Sequence, residues 1–277
     1  MENRIVHVNG KWINNNDAVI PFNDAGFTYG DGVFETLRFF NRTLFRPEKH
    51  LQRLHTGLDV LNMSISKSNT EIISILENII DKNTLDIGTV RLMITRGNIT
   101  DNPWNHKGVE NIYVAIRGMS KTPTTPVKIV YLQEENYPLI RFNPAIKSMN
   151  YVGNMLAKNE AEKQGGFEPV FINRNGIITE CAIRNVFYVK NNTLITPSLD
   201  LGILPGITRD TIIEIAKEIG LAVVESHISF ADVNSMDEAF ISSSGIGLLP
   251  CYWDGWSSNY KLSLKLQEKL IQLIENI

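Results

Sequence analysis

The sequence predicts an α+β (α/β) protein built in two halves, on three observations. Strand-like and helical stretches are interleaved along the whole chain. A stretch rich in Gly, Pro, Ser and Thr, "GMSKTPTTP" (118–126), interrupts them near the middle and reads as an exposed connection. The 277 residues are enough for two domains of ordinary size. We expect an N-terminal α+β domain over 1–119, a linker over 120–126 and a C-terminal domain over 127–277, with a ligand cleft between the two.

In the first half, "RIVHVNG" (4–10), "GVFETLRFF" (32–40), "TVRLMITRG" (89–97) and "NIYVAIRG" (111–118) are rich in β-branched and aromatic residues and read as strands. They frame two helices, "EKHLQRLHTGLDVL" (48–61) and "TEIISILENIIDKN" (70–83). The second has Ile72, Ile73, Leu76, Ile79 and Ile80 at helical spacing, so one face is apolar. After the linker, "VKIVYLQ" (127–133), "EPVFINRNG" (168–176), "NVFYVKNNTLITP" (185–197) and "EAFISSS" (238–244) read as strands. Helices are expected over 151–164, 207–219 and 261–276.

Hydrophobic residues make up 43% of the chain and charged residues 21%, an ordinary globular balance. The formal net charge is −3 and the basic residues are dispersed, which points away from a nucleic-acid partner. Cys181 and Cys251 show no paired metal-ligand spacing, so no metal is expected, and two thiols fit a reducing cytoplasm, with a disulfide between them as the alternative. The start, "MENRIVHVNGKW", has no apolar core of signal-peptide length. No window approaches the roughly 18 uninterrupted apolar residues of a membrane span. The expectation is a soluble, cytoplasmic protein with small-molecule substrates and no membrane partner.

Four features carry the chemistry. Lys147 stands just before a helix-forming stretch, Asn154 to Lys163, that Gly165-Gly166 stops. A side chain at such a junction can project into a cleft, although most lysines are solvated surface charges. Gly206-Ile207-Thr208 opens an amphipathic helix with apolar residues at 212, 215, 216 and 219. Its free N–H groups suit a phosphate; the alternative is an ordinary N-cap by Thr208. The cluster Ser242 to Ser244 after an apolar strand offers further hydroxyl donors, or a simple turn. Glu180, set among apolar strand residues, needs a positive or proton-donating partner, either an arginine or a protonated ring nitrogen of a cofactor. Together these suit pyridoxal 5′-phosphate, which needs an imine-forming lysine, an acid beside its pyridine nitrogen, and phosphate donors.

With those residues in place, the chain resembles the fold-type IV, or class IV, pyridoxal-phosphate aminotransferases. That family includes D-amino-acid transaminases, branched-chain aminotransferases and 4-amino-4-deoxychorismate lyase. The resemblance runs through "FTYGDGVFETLR" (27–38), "HLQRL" (50–54), "TVRLMITRG" (89–97), "IKSMNYVGNMLAKNEA" (146–161), "ITECAIRNVF" (178–187), "GITRDTIIEIAKEI" (206–219) and "DEAFISSSGIGLLP" (237–250). It implies a two-domain fold with the cofactor between the domains, held chiefly by the C-terminal one, and a homodimer. It implies that Lys147 binds the cofactor as an imine and then shuttles the proton at the substrate Cα, and that Glu180 pairs with the pyridine nitrogen. Arg53, the N–H groups of Ile207 and Thr208, and the Ser244 hydroxyl would hold the phosphate. Tyr151 would approach the phenolic oxygen, and Phe34 would lie over the substrate pocket.

The chain also departs from parts of the family. D-amino-acid transaminases carry an arginine and a histidine where this chain has Asp101 and Pro103, and an acidic side chain cannot pair with a carboxylate. Arg96 or Arg38 could supply that charge; Arg38 matches the arginine of an "FExxR" setting in branched-chain aminotransferases. Thr36, "TEC" and the ending "GIGLLP" are closer to the lyases, in which a threonine near Thr36 is linked to elimination. The expected activity is transamination between an amino acid and a 2-oxo acid, with elimination of pyruvate from aminodeoxychorismate as the alternative.

Overall fold

The computed structural model of the chain describes residues 3–100, 102, 104, 109–119 and 121–277. It divides into two compact units, residues 1–120 with 146–150 and 277, and residues 121–145 with 151–276.

The first unit is built on strands β1 (Ile5–Val8), β2 (Lys11–Asn14), β3 (Gly32–Phe40), β4 (Thr43–Leu44), β5 (Gly88–Thr95) and β6 (Asn111–Gly118). They form an antiparallel sheet in the order β2-β1-β6-β5-β3-β4. The expected first strand is β1, shortened to Ile5–Val8, and it continues into a hairpin because Asn9 and Gly10 both take positive φ, 48° and 85°, and fold β2 back onto it. A short helix, α1 (Ala25–Tyr29), precedes β3, and α2 (Pro47–Val60) and α3 (Asn69–Asn83) lie between β4 and β5. A reciprocal capping box starts α3: the Ser68 hydroxyl accepts from Glu71 N–H while the Glu71 carboxylate accepts from Ser68 N–H.

The pleat sends alternate residues of each strand to opposite faces. Val33, Leu37 and Phe39 of β3 join Val90, Leu92 and Ile94 of β5, Val114 of β6, and Leu51, Leu54, Ile72, Leu76 and Ile79 of the helices in one buried core. Helices therefore cover that face, and the even-numbered residues of β3 look the other way.

The second unit contains β7 (Val127–Gln133), α4 (Val152–Lys163), β8 (Glu168–Ile172), β9 (Ile177–Cys181), β10 (Asn185–Lys190) and β11 (Thr193–Pro197). It continues with α5 (Ile207–Glu218), β12 (Ala222–Ser226), β13 (Ile228–Ser229), β14 (Glu238–Ser243), β15 (Gly247–Tyr252) and α6 (Lys261–Glu275). The strands form one sheet in the order β12-β11-β10-β14-β15-β7-β8-β9-β13. The stretch 185–197, read as one strand, is a hairpin: Asn191 and Asn192 take φ 48° and 58° and reverse β10 into β11. Likewise 168–176 stops at Ile172 and turns into β9. Tyr188, Ile241, Leu249, Cys251 and Trp253 fill a core on one face. The stacked rings of Phe187 and Phe240, 4.8 Å apart, lie on the other, and α5 and α6 pack on β14.

Among the described residues no helix is long and apolar enough to cross a membrane, and no group of three or more His, Cys, Asp or Glu is placed to hold a metal ion.

Candidate active site

In the first unit, residues 147–149 add to the edge of β3. Phe34 N–H donates to the Lys147 carbonyl and Met149 N–H to the Gly32 carbonyl, both at 2.9 Å, while Val33 and Ser148 form a bridge between them. This pairing sets Lys147 opposite Phe34 on the face away from α2 and α3. The Lys147 ammonium lies 4.6 Å from the Phe34 ring centroid. Thr36 and Arg38 follow on that same face at every second residue. Arg91 of β5 pairs in register with Thr36, and its guanidinium lies 3.9 Å from the Phe34 ring. The structure thus brings together Lys147, Phe34, Thr36 and Arg38, and adds Arg91. Strand alternation in "TVRLMIT" could have found Arg91, since it is the polar member of an otherwise apolar-alternating run.

Glu35 points to the other face, into the core, and is fully buried. Arg53 donates to both its oxygens from Nε (2.8 Å) and Nη2 (2.7 Å), and the His50 Nδ1 lies 2.7 Å from Oε2. Burial pushes the Glu35 carboxyl up, but the adjacent guanidinium outweighs it and holds the pKa at about 2. Burial also holds His50 below its ordinary 6.5, against the pull of Glu35. Arg53, expected at a phosphate, is therefore anchored by a buried carboxylate one turn of sequence logic could not reveal. Arg96 gives Nε and Nη2 to Asp31 at 2.5 and 3.1 Å, and donates to the carbonyls of Leu61 and Asn62. Its guanidinium spans a strand end and a helix end. Asp101 and Pro103 lie outside the described residues.

In the second unit, Glu180 stands on β9 with both oxygens engaged. The Arg141 Nη1 donates to Oε1, and Leu204 N–H donates to Oε2 at 3.2 Å. Arg141 gives its other edge to Glu134, Nε to Oε1 at 2.7 Å and Nη2 to Oε2 at 2.8 Å. These bonds and Glu180 raise the Arg141 pKa although burial works against them. An arginine is thus the partner Glu180 required, and it comes from an irregular segment with no sequence pattern to announce it.

The N-cap of α5 is Gly206, not Thr208, and no side chain caps it. The first intrahelical bond runs from Asp210 N–H to the Gly206 carbonyl, so the N–H groups of Ile207 and Thr208 precede the helical ladder. A Cβ on Gly206 would lie 2.0 Å from Asn185 Oδ1, and Asn185 Nδ2 donates to the Leu204 carbonyl at 3.0 Å. Glycine is therefore the residue that lets the helix start seat against β10. Ser243 ends β14 and Ser244 begins the turn to β15, while the buried Ser242 hydroxyl has no partner among the described residues. Tyr151 is the N-cap of α4.

Each donor set, taken by itself, fits part of pyridoxal phosphate on chemistry. The first unit supplies a primary amine fixed by two backbone bonds. The second supplies an uncapped helix start for a phosphate dianion and a carboxylate whose ion-pair cluster, Glu134, Arg141 and Glu180, carries one surplus negative charge for a protonated ring nitrogen.

The profile of the family described as Amino-transferase class IV matches residues 32–252. A D-alanine aminotransferase of Listeria monocytogenes is 34% identical over 252 residues, covering 88% of this chain and 86% of its own. An aminodeoxychorismate lyase of Bacillus subtilis is 34% identical over 261 residues, covering 89% and 85%. The solved branched-chain amino acid aminotransferase from Escherichia coli superposes with a TM-score of 0.89 at 26% identity, over 99% of this chain and 95% of its own. The chain belongs to the class IV aminotransferases. It is an enzyme with the mixed α+β fold of that pyridoxal-phosphate-dependent family.

Proposed function

We propose that the chain binds pyridoxal 5′-phosphate and moves an amino group between an amino acid and a 2-oxo acid. The observation that carries this reading is the fixed placement of Lys147 on the same sheet face as Phe34, Thr36 and Arg38. When bound, the cofactor supplies an electron sink for charge developing at the substrate Cα. Lys147 would hold it covalently through Nζ and, once displaced, carry the proton at Cα. Glu180 would accept from the ring nitrogen. Ile207 and Thr208 N–H, Ser244 and Arg53 would hold the phosphate, Tyr151 would bond the phenolic oxygen, and Arg38 or Arg96 would orient the substrate carboxylate. The division at 120–126 would separate a substrate-facing domain from a cofactor-binding one. We also assign a homodimer, small-molecule substrates and a cytoplasmic location on the family likeness.

The 34% identity to a lyase and the position of Thr36 beside Phe34 favour one second reading, pyruvate elimination from aminodeoxychorismate. The experiment is the absorbance spectrum of the purified protein supplied with pyridoxal phosphate, followed by amino donors of both configurations one at a time. A visible band that changes with an amino acid supports transamination and identifies the donor. Pyruvate released from aminodeoxychorismate without an amino acceptor moves the assignment to the lyase. No visible band, or full activity in Lys147→Ala, overturns both.

A further inference from the structure

We propose that Arg141 is a positioning residue that keeps Glu180 ionised and correctly turned, with Glu134 and Thr179 holding Arg141 in place. The proposal rests on the cofactor reading above. Glu134 and Glu180 are two largely buried carboxylates with a single guanidinium between them, each with a side chain 16% exposed. Without that cation they face one another as like charges in a poorly solvated site, where one carboxyl takes up a proton. A protonated Glu180 has lost the anionic oxygen that a ring N–H⁺ needs. The arginine prevents this and fixes orientation as well. It takes Oε1, Leu204 N–H takes Oε2, and the plane of the carboxylate is thereby set.

The outer layer is equally specific. Arg141 reaches Glu134 through two parallel bonds, and the Thr179 hydroxyl donates to Glu134 Oε2 at 2.9 Å while accepting from Arg141 Nη2 at 3.3 Å. Glu134 is held below its ordinary pKa: burial raises it, and the bonds from Arg141 more than offset this. The segment that carries Glu134 and Arg141, residues 134–141, meets Glu180 through the Arg141 guanidinium.

The test uses the wild type, Arg141→Gln, Arg141→Lys and the double variant Arg141→Gln/Glu134→Gln, each checked for folding by circular dichroism. Two readouts are taken: pyridoxal phosphate affinity by tryptophan fluorescence, and the absorption spectrum of the bound cofactor from pH 5 to 10. Arg141→Gln should bind about tenfold more weakly and show a new pH-dependent change in its spectrum. The double variant, with one carboxylate fewer, should regain most of the wild-type spectrum. Arg141→Lys keeps the charge but not the fork; it should bind several-fold more weakly without the new titration, and it stands in if Arg141→Gln does not fold. Wild-type affinity and spectrum in both single variants, or no recovery in the double variant, would overturn the proposal. Failure of the wild type itself to bind the cofactor instead overturns the reading on which it rests.

Discussion

Glu35 shows how much one residue can decide. It sits on β3 between two apolar core positions, and a reader of "GVFETLRFF" has no reason to set it apart from a solvated strand glutamate. Only folding reveals that the His50 and Arg53 side chains of α2 converge on it. Its pKa is about 2 folded against an ordinary 4.5, so as pH falls the unfolded chain takes up the proton first. The stabilisation is complete above pH 4.5 and drains away toward pH 2. His50, held below 6.5 in the fold, adds a loss of stability that begins just under that pH, for the same reason. Urea unfolding from pH 7 to 3 should therefore show a steady fall in midpoint. Glu35→Gln should lower the unfolding free energy at neutral pH by an amount on the order of 3 kcal/mol, read as a lower midpoint, and flatten the fall below pH 4.5. An unchanged neutral midpoint would disprove the role. The two candidate carboxylate-binding arginines separate at the same scale. Arg96 is committed to Asp31 and two carbonyls, whereas Arg38 shares a face with Lys147 and Phe34. Arg38→Gln should raise KM at least tenfold with kcat less affected, while Arg96→Gln should chiefly lower thermal stability. The reverse pattern would exchange their roles.

At the scale of elements, α5 was legible in its apolar spacing and its end at Gly220, and its anion-ready start was visible in Gly206-Ile207-Thr208. What could not be read was why that glycine must stay small. The reason lies in Asn185, twenty-one residues earlier, whose Oδ1 fills the space a methyl would need. Gly206→Ala should push the helix start off β10. It should weaken pyridoxal phosphate binding at least tenfold and cost about 1–3 kcal/mol of stability, measured by fluorescence titration and thermal melting. Retained affinity would remove α5 from the phosphate site. The hairpins at Asn9-Gly10 and Asn191-Asn192 carried a usable signal, two turn residues between apolar runs, that the longer strand pattern masked. Strand β15 was hidden for a different reason. Pro250 argues against a strand, yet it lies in the ladder opposite Phe240 of β14, just ahead of the pairing with β7 that begins at Cys251.

For the whole molecule, composition and the order of motifs were enough for fold class and family, because those depend on many weakly informative residues agreeing. The assignment of residues 146–150 was not visible, since it depends on which distant backbone a short segment hydrogen-bonds. Residues 146–150 are flanked on both sides by chain that belongs to the second unit, yet they hydrogen-bond to β3. The polypeptide therefore changes unit four times, the last at its final residue. A gene cut after codon 120 would leave its first product with an unpaired stretch of β3 edge and without Lys147, and its second product with that lysine on an unanchored tether. Neither fragment alone should bind pyridoxal phosphate, but the two co-expressed should reassemble, with the short segment around Ser148 as the strand one fragment donates to the other. Such a split enzyme would report its own assembly through the colour of the bound cofactor.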